Sequence, residues 1–313
     1  MNGMTRGRGK RWNWKWFKRR RQGVFTARVS PTRPAPRIGL ALGGGFARGI
    51  AHVGILRVLE RENIPIHCIT GVSAGAIVAA AYASGATTDQ ITAVGCAMRF
   101  TDVARWSISR LGFAGSERMI AFLARLLKQL HFDDMHIPLG VVATDLRSGK
   151  ARSFHGTGEV TPAIRASCSY PGLYKPFEID GRTYVDGAIA VEVPSALARE
   201  MGATHVISAC IPNQDETFEP QHMLQVVSRC FQIMMSYNEE GWRKESDVVL
   251  MPDVGAIPWD GFANAMLMIA AGERAAEQAL PEIRRWLGRK DPAAVVEKEA
   301  GLNLRQEKLP DAT

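Results

Sequence analysis

Gly71-Val72-Ser73-Ala74-Gly75 follows an apolar run, Ile66 to Thr70, and precedes a small-residue helical pattern, Ala74 to Ser84. A buried strand, a sharp G-x-S-x-G turn and a helix form the setting of a nucleophile elbow. Such a turn lifts a serine hydroxyl to the carboxyl end of the strand. It also leaves backbone amides at a helix N-terminus, where negative charge is favoured. Gly71 and Gly75 are expected because a side chain at either position would meet the flanking strand or helix.

One unit earlier, Arg37 to Leu42 reads as a short buried strand, followed by Gly43-Gly44-Gly45-Phe46-Ala47-Arg48-Gly49 and a helical pattern from Ile50 to Glu62. Asn63-Ile64-Pro65 ends that helix. The result is a βαβ unit with a glycine loop after each strand. A dinucleotide site would want G-x-G-x-x-G. Here Gly43, Gly45 and Gly49 are spaced one residue too long. An oxyanion hole is the alternative: exposed N–H groups that receive the negative oxygen of a tetrahedral intermediate. It requires a nucleophile on the neighbouring strand, and Ser73 supplies one. Arg48 either fixes the loop or attracts an anionic head group.

Further along, Pro138 to Thr144 reads as a strand with Ala151 to His155 beside it, and Thr161 to Ser167 as a short helix. Glu178 to Val185 reads as a hairpin turning at Asp180-Gly181. Its second arm delivers Asp186-Gly187-Ala188. Pro194 to Met201 and Met223 to Tyr237 read as helices, His205 to Cys210 and Asp247 to Met251 as strands, and Asn264 to Leu287 as a helix interrupted near Pro281. Between residues 86 and 130 the pattern is helical with a looser middle, with Thr88 or Asp89 and Ser116 as caps. Phe100, Trp106, Leu111 and Phe113 fall in that middle, as core packing or as the lining of an acyl pocket.

The 313 residues carry a net charge of +8, unevenly spread: residues 1 to 22 hold nine Lys/Arg and no acid, leaving 30 basic against 31 acidic side chains elsewhere. In this arm Lys10, Arg11, Lys15, Lys18, Arg19, Arg20 and Arg21 interleave with Trp12, Trp14 and Trp16. The aromatics project to no single helical face. Trp favours the membrane interface and basic clusters favour anionic lipid, so a membrane surface ranks first as partner, an inert solvated tail second and nucleic acid third. Pro31, Pro34 and Pro36 make a stiff spacer. The chain therefore divides into a basic, Trp-rich, disordered arm and spacer (1–36), a catalytic domain (37–287) and a charged, frayed tail (288–313).

No apolar run reaches the roughly 18 to 20 residues that span a bilayer, and no apolar stretch of a secretory leader follows the basic start. The five cysteines, 68, 96, 168, 210 and 230, read as buried free thiols of a reducing compartment. A cytoplasmic protein peripherally attached to membrane is expected. No metal motif and no cofactor motif is present.

Taken together, the glycine loop, G-x-S-x-G one βα unit later and Asp-Gly-Ala beyond it resemble the patatin-like phospholipases. Leu40 to Gly45 and Ala51 to Gly54 look most like the bacterial branch related to neuropathy target esterase. The resemblance covers about residues 37 to 287. It implies a three-layer α/β/α fold with a mainly parallel central sheet, and a Ser-Asp dyad in which Ser73 is the nucleophile and Asp186 the base. It maps the oxyanion loop onto Gly44-Gly45-Phe46-Ala47-Arg48-Gly49, with Phe46 in place of a third glycine. A side chain there is tolerated if φ stays negative. Glu192 stands where related proteins often carry Asn.

The implied activity is hydrolysis of lipid esters, of phospholipase A, lysophospholipase or carboxylesterase type. A membrane-binding scaffold without turnover, or an acyltransferase or thioesterase, are the alternatives. His52, His155 and His205 read as structural residues. A histidine base would give an acid limb near its ordinary pKa of about 6.5, which an aspartate need not give.

Overall fold

The computed structural model describes residues 35–106, 110–212, 219–221, 223–237 and 239–289. Strand β1 (Ile38–Leu42) and β2 (Ile66–Val72) are joined by a 3-10 turn, Phe46–Ile50, and by α1 (Ala51–Arg61). After the elbow come α2 (Ala74–Ala83), α3 (Thr88–Ala97), α4 (Phe100–Val103), a ribbon of β3 (Arg105–Trp106) and β4 (Ala114–Gly115), and α5 (Glu117–Leu126). Strands β5 (Leu139–Asp145) and β6 (Ala151–His155) are followed by α6 (Val160–Ser167), β7 (Phe177–Ile179) and β8 (Arg182–Val185). The chain then forms α7 (Ser195–Glu200), β9 (His205–Ala209), α8 (Met223–Ser236), α9 (Glu239–Lys244), β10 (Val248–Leu250) and α10 (Ala265–Trp286).

The strand order is β10-β9-β1-β2-β5-β8-β7, with β6 also on β5. From β10 to β5 every pairing is parallel; β6, β8 and β7 are antiparallel. Strand β1 shows why helices cover both faces. Ile38, Leu40 and Leu42 point into the main core, whereas Ala41 belongs to a second cluster with Cys68, Ala198 and Trp242. Parallel strands buried on both sides have no polar face to give to water. Helices α1, α2 and α10 fill one layer and α7 and α9 the other, so the fold is the expected three-layer α/β/α arrangement with a mainly parallel sheet.

Two local expectations are corrected. Thr87, rather than Thr88 or Asp89, caps α3, in a reciprocal box with Gln90; Ser116 precedes α5 but its hydroxyl accepts from Arg165 instead of capping. Helix α10 runs through Pro281 without a break. A proline inside a helix costs about 3 kcal/mol. Here Leu280 and Ile283 are buried on either side of it, and Arg284 pairs with Glu62 at 2.6 Å, so packing holds the last turn in line. Upstream, α10 lies directly on α1: a Cβ on Gly54 would sit 1.9 Å from the Ile269 carbonyl oxygen, and one on Gly272 1.9 Å from that of Ala51.

Register decides what happens at the carboxyl end of β2. Strand β6 occupies one edge of β5 from Gly140 to Thr144. Strand β2 occupies the other edge as far as Val142, and β8 joins at Thr144 and Asp145. With β6 already on Thr144, β8 must share the β2 edge. It runs antiparallel to β5 and so meets β2 end to end. The next residue of β2 is Ser73 and the next of β8 is Asp186.

Candidate active site

Ser73 sits at φ 53° and ψ −124°, a conformation rarely adopted by a residue with a side chain. Strain of this kind costs about 1–3 kcal/mol and persists where surroundings over-determine it. Those surroundings are tight. A Cβ on Gly75 would lie 2.3 Å from the Leu42 carbonyl oxygen, and one on Gly71 2.6 Å from Ala76 Cα. Gly49 and Gly187 are equally crowded, by Ala74 Cβ at 2.6 Å and the Val142 oxygen at 2.1 Å. The Ser73 amide donates to Ser167 Oγ at 2.8 Å, and that hydroxyl donates to the Val142 carbonyl at 2.6 Å.

The Ser73 hydroxyl donates to Asp186 Oδ2 at 2.7 Å. Asp186 Oδ1 accepts from the Ala188 amide at 2.9 Å, which fixes the carboxylate plane. Thr144 Oγ1 donates to the Asp186 carbonyl at 2.8 Å, and the Asp186 amide donates to the Ser169 carbonyl at 2.9 Å. The side chain is 1% exposed. Burial raises its pKa to about 7, against the opposing pull of the Ser73 and Ala188 hydrogen bonds. A base with a pKa near neutrality is suited to taking and returning a proton at working pH. This removes the expected pH test for a histidine base, because an aspartate in this position titrates where an imidazole would.

The glycine loop lies beside the elbow. Gly43 donates to the Ala209 carbonyl at 2.9 Å and Ala47 to that of Trp259 at 3.0 Å. Between them, the amides of Gly44, Gly45 and Phe46 have no acceptor among the described residues. Phe46 adopts φ 51°, so the condition under which a side chain would be free of strain there is not met. Its ring is wedged between Tyr170, at 4.9 Å between centroids, and Trp259, at 5.0 Å, both edge-on. Those contacts repay the backbone cost. His52, fully buried, holds the loop from below: its Nε2–H donates to the Gly43 carbonyl at 2.9 Å. Burial lowers its pKa to about 4, so the ring is neutral.

Arg48 is 4% exposed, and its Nε and Nη1 have no acceptor among the described residues. Its amide ties the loop, donating to the Gly45 carbonyl at 3.1 Å. The guanidinium is thus a buried positive charge on the same loop as those three amides. His155 and His205 stand at the other end of the sheet, paired with Gly140 and Ile38 at the starts of β5 and β1. Neither reaches Ser73.

Two chambers meet at Ser73 and Phe46. One is apolar and lined by Ile77, Val94, Met98, Phe100, Met119 and Phe122 among others. The second contains Asp186, Arg48, Tyr170, Glu192, Ser228 and Gln232. Phe100 is the expected lining residue that is found there. Leu111 and Phe113 are exposed, at 69% and 44%, and form neither core nor lining; the Trp106 side chain lies outside the described residues. Glu192 is buried and held by Trp242 Nε1 at 3.1 Å, with its pKa raised chiefly by burial. Cys168 lines the apolar chamber as a neutral thiol, its pKa pushed well up by burial and by Asp186. Cys68, Cys168 and Cys210 are buried as expected, whereas Cys96 and Cys230 are exposed; all five are free.

Ser167, Thr144 and Tyr170 were not legible as site residues. Each acts through a contact distant in sequence, and none belongs to a local motif.

A family model described as patatin-like phospholipase matches residues 40–198, a stretch that holds the loop, the elbow and Asp186. The chain belongs to the patatin-like phospholipase family. An uncharacterized NTE family protein of Mycobacterium tuberculosis is 35% identical over 165 residues, covering 52% of this chain and 45% of that protein. The lysophospholipase NTE1 of Mycosarcoma maydis is 28% identical over 225 residues, covering 69% of this chain and 12% of that protein. This patatin-like chain thus spans under half the length of these curated relatives. Among solved structures, VipD from Legionella pneumophila aligns with TM-score 0.47 and 14% identity, over 80% of this chain and 67% of that one.

Residues 1–34 and 290–313 lie outside the described residues, and with them every basic and aromatic side chain singled out in the arm, Lys10 to Arg21. Among the described residues no helix is long and apolar enough to cross a membrane, and no cluster of His, Cys, Asp or Glu could hold a metal ion.

Proposed function

We propose that this protein is a serine hydrolase of lipid esters that works through a Ser73–Asp186 dyad. The observation that carries the reading is the 2.7 Å hydrogen bond from the Ser73 hydroxyl to a buried carboxylate, beside three amides that have no acceptor among the described residues. Ser73 Oγ attacks the ester carbonyl as its proton passes to Asp186 Oδ2. The carbonyl oxygen becomes an oxyanion and accepts from the amides of Gly44, Gly45 and Phe46, a contact made stronger by the water-poor setting. Collapse of the adduct breaks the bond to the alcohol, which leaves with the proton held by Asp186. Water then gives a proton to Asp186, attacks the acyl-serine and releases the fatty acid, with Ser73 reprotonated.

The two chambers suit the two parts of such a substrate. The acyl chain lies in the apolar chamber, and the alcohol and head group lie on the side of Arg48 and Tyr170. Phospholipids and lysophospholipids are the leading substrates, in line with the family and with the name of the Mycosarcoma maydis relative. Incubation with total membrane lipid and mass spectrometry of released fatty acids tests this, with Ser73→Ala as the control. Release that persists in Ser73→Ala, or no release together with no labelling of Ser73 by a fluorophosphonate, would overturn the reading.

The arm adds attachment in this proposal. Each Lys or Arg near an anionic surface contributes about 1 kcal/mol, and the tryptophans add anchoring that salt does not screen. In the full chain, replacing Trp12, Trp14 and Trp16 by Ala should reduce binding to anionic vesicles more than binding to duplex DNA. The reverse ranking would assign the arm to nucleic acid.

A further inference from the structure

Helix α8 has two faces of different kinds. Ser228, Gln232 and Met235 line the polar chamber that holds Ser73 and Asp186. Ser228 accepts from the Tyr170 hydroxyl at 3.2 Å, and the Phe231 ring meets that of Tyr170 at 5.7 Å. The opposite face carries residues at 223, 226, 230, 233 and 237, a spacing of three and four in alternation that forms one stripe on a helix. Met223 is 69% exposed, Val226 48%, Ile233 43% and Tyr237, directly after the helix, 83%. Cys230, in the middle of the stripe, is exposed too. Arg229 is the single charged residue of the helix, and there is no acid. The first turn of α10 repeats the pattern: Ala265 and Met268 line the apolar chamber, while Met266 and Leu267 between them are 57% and 64% exposed.

We propose that the outer stripe of α8 is the surface by which the catalytic domain docks onto a lipid bilayer. This rests on the hydrolase reading, which makes the chamber behind α8 the place where a lipid ester is used. Three observations commit the stripe to a bilayer. An apolar stripe of this length in water is costly and marks an interaction surface. Its inner face is the wall of the catalytic chamber, so whatever seats against the outer face is presented to Ser73 across the thickness of one helix. An interfacial helix buries its apolar side to the level of the head groups, and the absence of acidic residues leaves nothing on α8 to repel anionic lipid.

The test uses the full chain with Cys96→Ser, which leaves Cys230 as the exposed thiol, labelled with a nitrobenzoxadiazole dye. Phosphatidylcholine vesicles are added at about 0.5 M salt, where the Debye length is a few ångströms and the basic arm is screened. Docking is expected to blue-shift and brighten the label. The variant Met223→Gln/Val226→Asn/Ile233→Asn/Tyr237→Ser, carrying the same label, should partition about a hundredfold less to vesicles. Its turnover of vesicle lipid should fall in proportion, while its turnover of a soluble short-chain ester stays within about twofold of the parent, which also reports that it is folded. An unshifted label together with equal vesicle activity of the two proteins would overturn the proposal. A label already shifted without vesicles, in a protein of twice the chain mass by light scattering, would overturn it in favour of a second copy. The label reads docking without turnover, so a failure of the hydrolase reading appears separately, as absent activity on both esters with docking intact.

Discussion

Two turns on adjacent strands use the same backbone strain for opposite ends. Phe46, after β1, and Ser73, after β2, are non-glycine residues at φ 51° and 53°. At Ser73 the strained residue offers its side chain to the reaction and its amide to the scaffold, through Ser167. At Phe46 the amide has no acceptor among the described residues and the side chain is a wedge against Tyr170 and Trp259. The glycines differ accordingly. Gly75 is a packing glycine, with backbone oxygens where a side chain would stand, whereas a Cβ on Gly44 would make ordinary contacts at 3.5 Å or more. A glycine-rich turn can therefore be built to present a side chain or to present amides, and the surrounding contacts, not the glycine count, say which.

The sharpest way to break this contrast is to remove the elbow's chemistry. Ser73→Ala and Asp186→Asn should each reduce kcat on a soluble ester by at least about 10² to 10⁴, the range of a working general base, while circular dichroism stays native. If Asp186→Asn retained more than about a tenth of kcat, the elbow would be presenting a hydroxyl with no base.

The pH profile comes next in size. Because Asp186 must be ionised to accept the proton and its pKa is about 7, kcat should fall about tenfold per unit as pH drops below that value. Stability should move the other way. The folded pKa lies above the ordinary carboxylate value, so the neutral acid is favoured in the folded state; that stabilisation is full at low pH and is lost as pH rises through about 7. Thermal melts should accordingly show Asp186→Asn gaining on the parent between pH 4 and pH 8, and a constant difference would remove burial as the cause.

A methyl group then separates the two kinds of glycine. Gly75→Ala should lose about 1–3 kcal/mol in urea unfolding through overpacking. Gly44→Ala should stay within about 0.5 kcal/mol of the parent. Similar losses would mean that both loops are packed alike. The smallest effect isolates the strain at position 46. Phe46→Gly and Phe46→Ala both lose the aromatic contacts, but Gly should be the more stable by about 1 kcal/mol, because it alone adopts positive φ freely.

The amino-acid sequence by itself determined the two turns, their order on adjacent strands, the hairpin that ends in Asp186 and the family. These are local matters. A glycine spacing, an apolar run of strand length or Asp180-Gly181 at a two-residue turn acts through neighbours a few positions away, and each is readable because its physics is short-ranged. What the tertiary structure decided is long-ranged. Ser73 and Asp186 meet because β2 and β8 share one edge of β5 and run toward each other, a result of register among three strands. Phe46 takes positive φ with its ring between Tyr170 and Trp259, both distant in sequence. Leu111 and Phe113 are apolar yet exposed, and α8 has an apolar stripe turned outward because its other side is taken by the catalytic chamber. Hydrophobic side chains state a preference for burial, but which of them obtains it is settled by what the rest of the chain brings alongside.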